Sequence, residues 1–311
     1  MRSPLLTRPA PFAGGYRPAR HTLDRIAILN NSGHTPGNRS HLIALLADQW
    51  RASGIEVVEL SGTSSFVEAD LLFLHLSRPI VPEEYRRFAA QYPVTYNTSA
   101  TDLRKHQYAD GILAAGDFYK GAVIVKSDCS YAAPAQPAPS RGGILSNFGL
   151  LNRSFAGKEA RAPVNDNYHI YPSVAHVPQE KFGKDHIIQK FLPEQNDGRF
   201  VLRQYYFLGD RHFLALQTSG AAIIRSAAPL SLEEWTPPQE LLDLRARLNL
   251  DYGRIDFVQQ EGRPFVISVS RSPALPSSKE EGYVPPAYNR LAEAFSEALV
   301  ENYSTTEKCV F

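Results

Sequence analysis

Apolar positions in the first hundred residues fall into short blocks separated by polar punctuation. Asp24 to Leu29 is an apolar run that stops at Asn30-Asn31-Ser32-Gly33, the pattern of a buried strand entering a loop. From Asn38 onward, Leu42, Leu45, Leu46 and Trp50 recur on one helical face, and Gly54 stands where a helix C-terminal cap belongs. Ile55 to Leu60 and Leu71 to Leu76 are two further strand-like blocks. A second periodic segment has Pro82 in its first turn and Val81, Tyr85, Phe88 and Tyr92 on one side, and Val94 to Tyr96 follows as a short strand. Strands alternating with helices predict a small parallel α/β unit.

Beyond it the pattern predicts a helix over Thr101 to Leu113 and a β-branched strand over Ala122 to Lys126. Residues 127 to 165 carry Pro134, Pro137, Pro139, Gly142 and Gly143 with few periodic apolar positions, which reads as a long mobile loop of the lid type. Strand patterns resume at His186 to Leu192, Phe200 to Leu208 and Phe213 to Thr218, the last two meeting across Gly209-Asp210-Arg211. A helix is expected at Pro238 to Leu248, then strands Tyr252 to Val258 and Pro264 to Val269 joined through Glu261-Gly262, then an amphipathic helix from Pro286 to Val300. A turn centred near Glu261 would set Ile255, Phe257, Phe265 and Ile267 on one face of this hairpin and Arg254, Asp256, Ser268 and Ser270 on the other. Taken alone, that polar stripe reads as a solvated face.

The chain has 311 residues, a length that suggests about two structural units. Lys+Arg is 33 and Asp+Glu is 32, a net charge of +1 that argues against sequence-independent nucleic-acid binding. Hydrophobic residues make up 43% and aromatics 11%, enough for a sizeable core. The two cysteines, Cys129 and Cys309, have no partner at metal or redox spacing, so a reducing cytoplasm is the expected location and a small buried thiol the expected role of Cys129. No apolar stretch approaches the ~20 residues of a membrane helix, and the first residues read as a loose arm without a secretory core. Gly33 to Ser40 has the flavour of a phosphate loop, but its glycine spacing is one short and Arg39 stands where lysine should precede serine. None of the nine histidines falls at metal-ligand spacing, and no serine sits in a nucleophile elbow.

In chain order, several stretches form a series. Lys105 follows Thr101-Asp102-Leu103-Arg104, and Lys126 closes Val123-Ile124-Val125. Then come Ile187-Ile188-Gln189-Lys190-Phe191-Leu192-Pro193-Glu194, Leu202-Arg203 and Phe207-Leu208-Gly209-Asp210. Leu250-Asp251-Tyr252-Gly253-Arg254-Ile255-Asp256-Phe257 and Ser268-Val269-Ser270-Arg271-Ser272-Pro273 complete it. The series resembles the ATP-grasp superfamily, most of all its small stand-alone bacterial members, over about residues 24 to 275. The resemblance implies an α/β plus α+β fold: an N-terminal Rossmann-like pre-ATP-grasp domain followed by a two-subdomain ATP-grasp core with the nucleotide between the subdomains. The implied divisions are a flexible arm over 1–22, the pre-ATP-grasp domain over 23–98, an N-terminal subdomain over 99–190 with the loop 127–165, and a C-terminal subdomain over 191–311.

The same resemblance implies roles. Lys105 and Lys126 would neutralise the phosphates of ATP, each a compact charge on a flexible stem. Gln189, Lys190, Phe191 and Leu192 would form the hinge and meet the adenine edge, and Glu194 would accept from the ribose hydroxyls. Arg203 and Arg225 would add charge near the transferred phosphoryl group, and Arg271 would touch an acylphosphate. Asp256, Ser268 and Ser270 stand at the positions that hold Mg²⁺ in the family, where relatives carry a carboxylate and an asparagine in place of the serines; neutral hydroxyls are poor magnesium ligands. Relatives also have adjacent glycines after Lys126, where this chain has Tyr131-Ala132-Ala133 and the loop's glycine pair, Gly142-Gly143, some ten residues later. From the residues alone, Lys105 reads as a solvated helix position and Glu194 equally as a turn residue after Pro193. Two functions follow: an ADP-producing, ATP-dependent carboxylate-amine or carboxylate-thiol ligase acting through an acylphosphate on a small-molecule or peptide substrate, or a catalytically inactive member with a regulatory or scaffolding role. Neither a nucleic-acid nor a membrane partner is expected, and the oligomeric state is not legible.

Overall fold

The computed structural model describes residues 22–34, 39–129, 168–183, 185–224, 231–276 and 284–306. The expected arm up to residue 21, nearly all of the loop 127–165 with Gly142 and Gly143, and Arg225 lie outside the described residues.

The first unit is a parallel sheet of β1 (Arg25–Asn30), β2 (Glu56–Ser61), β3 (Leu71–His75) and β4 (Val94–Tyr96), in the order β2-β1-β3-β4. Its central strands are buried on both faces, as parallel strands covered by helices must be. Alternation then divides them: Ile26, Ile28, Leu71 and Phe73 pack toward helix α1 (Leu42–Ala52), while Ala27, Leu29, Leu72 and Leu74 pack toward α2 (Glu83–Ala89). Trp50, fully buried, anchors α1 against Phe73.

A small antiparallel sheet comes next, with β5 (Ile112–Leu113), β6 (Val123–Ser127), β7 (Tyr168–Tyr171) and β8 (His186–Lys190) in the order β5-β8-β6-β7. Period two sends Val123 and Val125 into a local core with Ile188, and turns Ile124 and Lys126 to the opposite side. The helix expected over Thr101 to Leu113 is not formed; that stretch is a 3₁₀ turn at Lys105–Gln107 followed by β5. Its backbone donors are taken by distant groups: Leu103 N–H donates to Pro79 O at 2.8 Å and Lys105 N–H to Asp128 O at 2.9 Å. Asp128 Oδ1 accepts from the His106 N–H at 2.9 Å. At Leu103, Lys105 and His106 tertiary partners have outcompeted the i→i−4 bond, which forms from Ala109 N–H to Lys105 O at 2.8 Å. The strand expected to reach Leu192 stops at Lys190, because Phe191 N–H turns to Ala122 O at 2.9 Å and Pro193 follows.

The largest sheet is antiparallel, formed by β9 (Glu194–Asn196), β10 (Arg199–Leu208), β11 (Arg211–Ser219), β12 (Ser231–Glu234), β13 (Tyr252–Gln260) and β14 (Arg263–Ser270). The order is β12-β11-β10-β13-β14, with β9 on β10. On one face Tyr205, Phe207, Ile255 and Phe257 pack on α3 (Gln239–Leu248); on the other Tyr206, Leu208 and Phe213 pack on α4 (Pro286–Thr306). That second core also contains Leu46 and Trp50 of α1, so α4 joins the parallel sheet to the large one.

Glu261 and Gly262, with φ of 50° and 80°, make a two-residue hairpin turn, and such a turn pairs residues of opposite parity: Gln260 with Arg263, Val258 with Phe265. A β-bulge then shifts the register, so that Asp256 faces Ser268 and Arg254 faces Ser270. The expected polar stripe is therefore formed, but the expected apolar face is not. Phe257 pairs with Val266, and Phe265 and Ile267 lie on the cleft side with Asp256.

Candidate functional site

A cleft of about 390 Å³ lies between the small sheet and the large one, within the size range of small-molecule sites. Apolar side chains Ile124, Phe191, Leu192, Val201, Val258 and Phe265 are among those that line it. Lys105, Lys126, Lys190 and Arg254 face it against Asp256, the only carboxylate lining it among the described residues. Such a balance suits a ligand with an apolar ring and an anionic tail.

Lys126 is buried at the end of β6, and its Nζ donates to Gln189 Oε1 at 2.7 Å and lies 3.4 Å from Ile267 O. Burial, reinforced by the charge of Lys105 and opposed by Asp256, pulls its pKa down to about 7. Lys105, also buried, donates to Ser127 O at 2.8 Å and Cys129 O at 3.2 Å. Burial lowers it to about 8, with Asp128 acting in the opposite direction. Both ammonium groups are held by neutral carbonyl oxygens, so their charge is desolvated without a paired anion. Cys129 itself is exposed, not buried, because the chain has left the sheet after Ser127.

Gln189 is fully buried and fully engaged: besides accepting from Lys126, its Nε2 donates to Asp110 O at 2.7 Å and Val266 O at 3.0 Å. It ties β8 to β14 across the cleft floor. The N–H groups of Lys190 and Phe191 are taken by Gly111 O and Ala122 O, both at 2.9 Å, and Lys190 Nζ lies 5.1 Å from the centroid of Tyr119. Glu194 and Arg203 are not among the lining residues. They pair with each other, Arg203 Nη2 to Glu194 Oε1 at 2.7 Å, and Glu194 also accepts from the Gln259 N–H at 2.7 Å. Arg271 is buried with Nη2 donating to Pro79 O at 2.9 Å, at the join to the parallel sheet and away from the cleft lining. Lys126, Asp256, Ser268 and Ser270 are brought together on the cleft lining, and Glu194 is not among them.

Asp256 is committed. Arg254 Nε is 2.7 Å from Oδ1, Arg254 Nη2 donates to Oδ2 at 3.0 Å, and Gln204 Nε2 donates to Oδ1 at 3.2 Å. These residues do not fit a magnesium ion: one carboxylate already paired with a guanidinium, and two hydroxyls opposite it, offer no anionic octahedral set. Among the described residues, no group of three or more His, Cys, Asp or Glu is clustered to hold a metal.

Two residues of the site had no role assigned from sequence. Arg254 was placed on the right face by strand alternation, and its i, i+2 relation to Asp256 was the signal that the two could pair. His41 had no such signal. It reaches the cleft because the loop before α1 is stapled to the segment after β14, Leu42 N–H to Pro273 O at 2.9 Å and Leu275 N–H to Ser40 O at 2.8 Å. Burial, helped by the charges of His34 and Arg254, lowers the His41 pKa.

No family model matches the chain, and no curated protein matches its sequence. Solved structures give partial overlap. D-alanyl-alanine synthetase A from Vibrio cholerae is 12% identical, covers 92% of this chain and 99% of its own, and gives a TM-score of 0.47. The macrocyclase MdnC bound with precursor peptide MdnA, from Microcystis aeruginosa, is 12% identical over 88% of this chain and 99% of its own, with a TM-score of 0.45. A RimK domain ATP-grasp protein from Sphaerobacter thermophilus is 12% identical over 88% and 98%, with a TM-score of 0.42. At these scores the likeness carries no argument, and the cleft has to be understood from its own residues. No helix among the described residues is long and apolar enough to cross a membrane.

Proposed function

We propose that this chain is an ATP-grasp protein that binds ATP in the cleft and uses it as an ATP-dependent ligase. In that reaction a substrate carboxylate oxygen attacks the γ-phosphorus and ADP leaves; an amine or thiol then attacks the acylphosphate carbonyl and inorganic phosphate leaves. The observation that carries the reading is the cleft itself, lined among the described residues by apolar side chains together with Lys105, Lys126, Lys190, Arg254 and one carboxylate, Asp256. Lysines held by neutral carbonyls are the groups an incoming polyphosphate would pair with, and fixed cations around a phosphoryl group supply most of the catalysis in phosphoryl transfer. Ile124, Leu192 and Phe265 would sandwich the base, and the apolar walls would exclude water from the acylphosphate.

One observation favours a second reading, in which the fold binds nucleotide without catalysis: Asp256 is already paired with Arg254 and faces serines. Two measurements decide. A thermal melt with ATP reports binding, since a ligand taken up only by the folded state raises its stability. ADP release in the presence of mixed amino acids and short peptides reports turnover. The ligase reading requires both signals and their loss in Lys126→Met; a melt shift without ADP supports the second reading, and no shift rejects both.

A further inference from the structure

The disagreement between the cleft and a magnesium ion has a physical content of its own. We propose that Arg254 is a built-in cation standing where a divalent metal would otherwise be needed, so that a nucleoside triphosphate binds in this cleft without magnesium. The inference rests on the nucleotide reading above.

Position comes first. Arg254 and Asp256 share one face of β13, and the bulge in β14 sets Ser270 and Ser268 directly opposite them. The guanidinium lies against both carboxylate oxygens, Nη2 donating to Oδ2 and Nε 2.7 Å from Oδ1, so a metal ion at Asp256 would have to displace a paired cation whose side chain is only 18% exposed. Tyr206 holds it from behind, its ring centroid 5.8 Å from Arg254 Cζ and its hydroxyl 3.1 Å from that of Tyr288. Arg254 is thus locked in place before any ligand arrives.

Chemistry points the same way. A metal site needs acceptors, whereas phosphate oxygens need donors. Ser268 and Ser270 can donate O–H, and the arginine fork has five N–H groups, more than Asp256 uses. Among the described residues, the charged groups facing the cleft are Lys105 before β5, Lys126 on β6, Lys190 on β8, and Arg254 and Asp256 on β13, and the titratable His41 joins them from the loop before α1. With Lys105 and Lys126 kept protonated by the approaching phosphates, four cations against one carboxylate among the described residues balance most of a triphosphate, so no divalent ion is required to offset it. A hydrated magnesium ion would add positive charge beside Arg254 at a cost.

Isothermal titration calorimetry of the full chain with ATP, once in EDTA and once in magnesium chloride, tests the proposal. Dissociation constants within about threefold of each other support it. ATP that binds at least tenfold more tightly with magnesium overturns it and leaves the nucleotide reading intact. No binding in either buffer overturns both. A paired variant, Arg254→Met with Asp256→Asn, removes the cation without stranding a buried charge; the affinity in EDTA should fall tenfold or more while the melting curve stays cooperative. Unchanged affinity in that variant overturns the proposal, and if the variant does not fold, the comparison of the two buffers still decides.

Discussion

On the small-sheet wall of the cleft, Lys126 donates a hydrogen bond to the neutral oxygen of Gln189, while across from it Arg254 grips the carboxylate of Asp256. The first arrangement leaves a buried charge without a counter-ion, so the lysine sits at about pKa 7 and gives up its proton readily. The second compensates its charge internally: burial opposes the arginine's charge, and Asp256 holds its pKa up. One wall is adjustable and the other is permanent, and an anionic ligand would be felt mainly by the adjustable one.

The hardest blow to this contrast is Asp256→Ala, which strands Arg254. A fully buried pair broken in this way loses ~3–5 kcal/mol; with some exposure remaining at Arg254, we expect about 2–3 kcal/mol, read from urea unfolding. A loss below about 0.5 kcal/mol would show that the pair is not a compensating one. Lys126→Met strikes the other wall. ATP affinity should fall by ~10- to 100-fold, about 1.4–2.8 kcal/mol, and calorimetry showing no loss would remove Lys126 from the site.

Titration sharpens the difference. The Lys126 ammonium keeps its proton up to about 10.5 in the unfolded chain but only to about 7 when folded. Between those values the unfolded state binds more protons, so the stability of the free protein rises with pH, by up to ~1.4 kcal/mol per pH unit for one proton. Lys105 adds in the same direction above about 8. Unfolding curves from pH 6 to 10 should show this rise, flattened in Lys126→Met. ATP affinity should run the opposite way, weakening above pH 7 with a proton taken up on binding, visible as a dependence of calorimetric heat on the buffer's ionisation enthalpy. A pH-independent affinity would mean that the lysines are charged throughout. The smallest expected change is Glu194→Gln. Its pair with Arg203 lies outside the cleft lining and is partly exposed, so a loss of about 0.5–1 kcal/mol in stability with unchanged ATP affinity is expected. A tenfold weaker affinity would restore Glu194 as a ligand contact.

The parallel unit was legible because each element carries its own period. Leu42, Leu45, Leu46 and Trp50 mark α1, and the run from Leu71 marks β3, whatever lies around them. The stretch around Lys105 was not legible, because its N–H groups find Asp128 and Pro79 rather than the carbonyls four residues back. In the cleft, Lys126 and Asp256 could be placed from strand alternation, and the polar stripe of Arg254, Asp256, Ser268 and Ser270 was read correctly through a register that only the bulge supplies. His41 was invisible, since it reaches the cleft through a join to Pro273 and Leu275, more than two hundred residues away along the chain.

In the parallel unit and in helices α3 and α4, the sequence alone determined which segments are strands or helices and which of their residues share a face, because those periods are set by the geometry of three or four neighbouring residues. Only the tertiary structure decided that Arg254 closes on Asp256, that Gln189 saturates itself between Lys126 and Val266, and that one extra residue in β14 sets Ser268 opposite Asp256 and Ser270 opposite Arg254. Those outcomes depend on which buried donor meets which acceptor across distant segments. Desolvation makes every such pairing costly to leave unmade, and no local pattern records the choice.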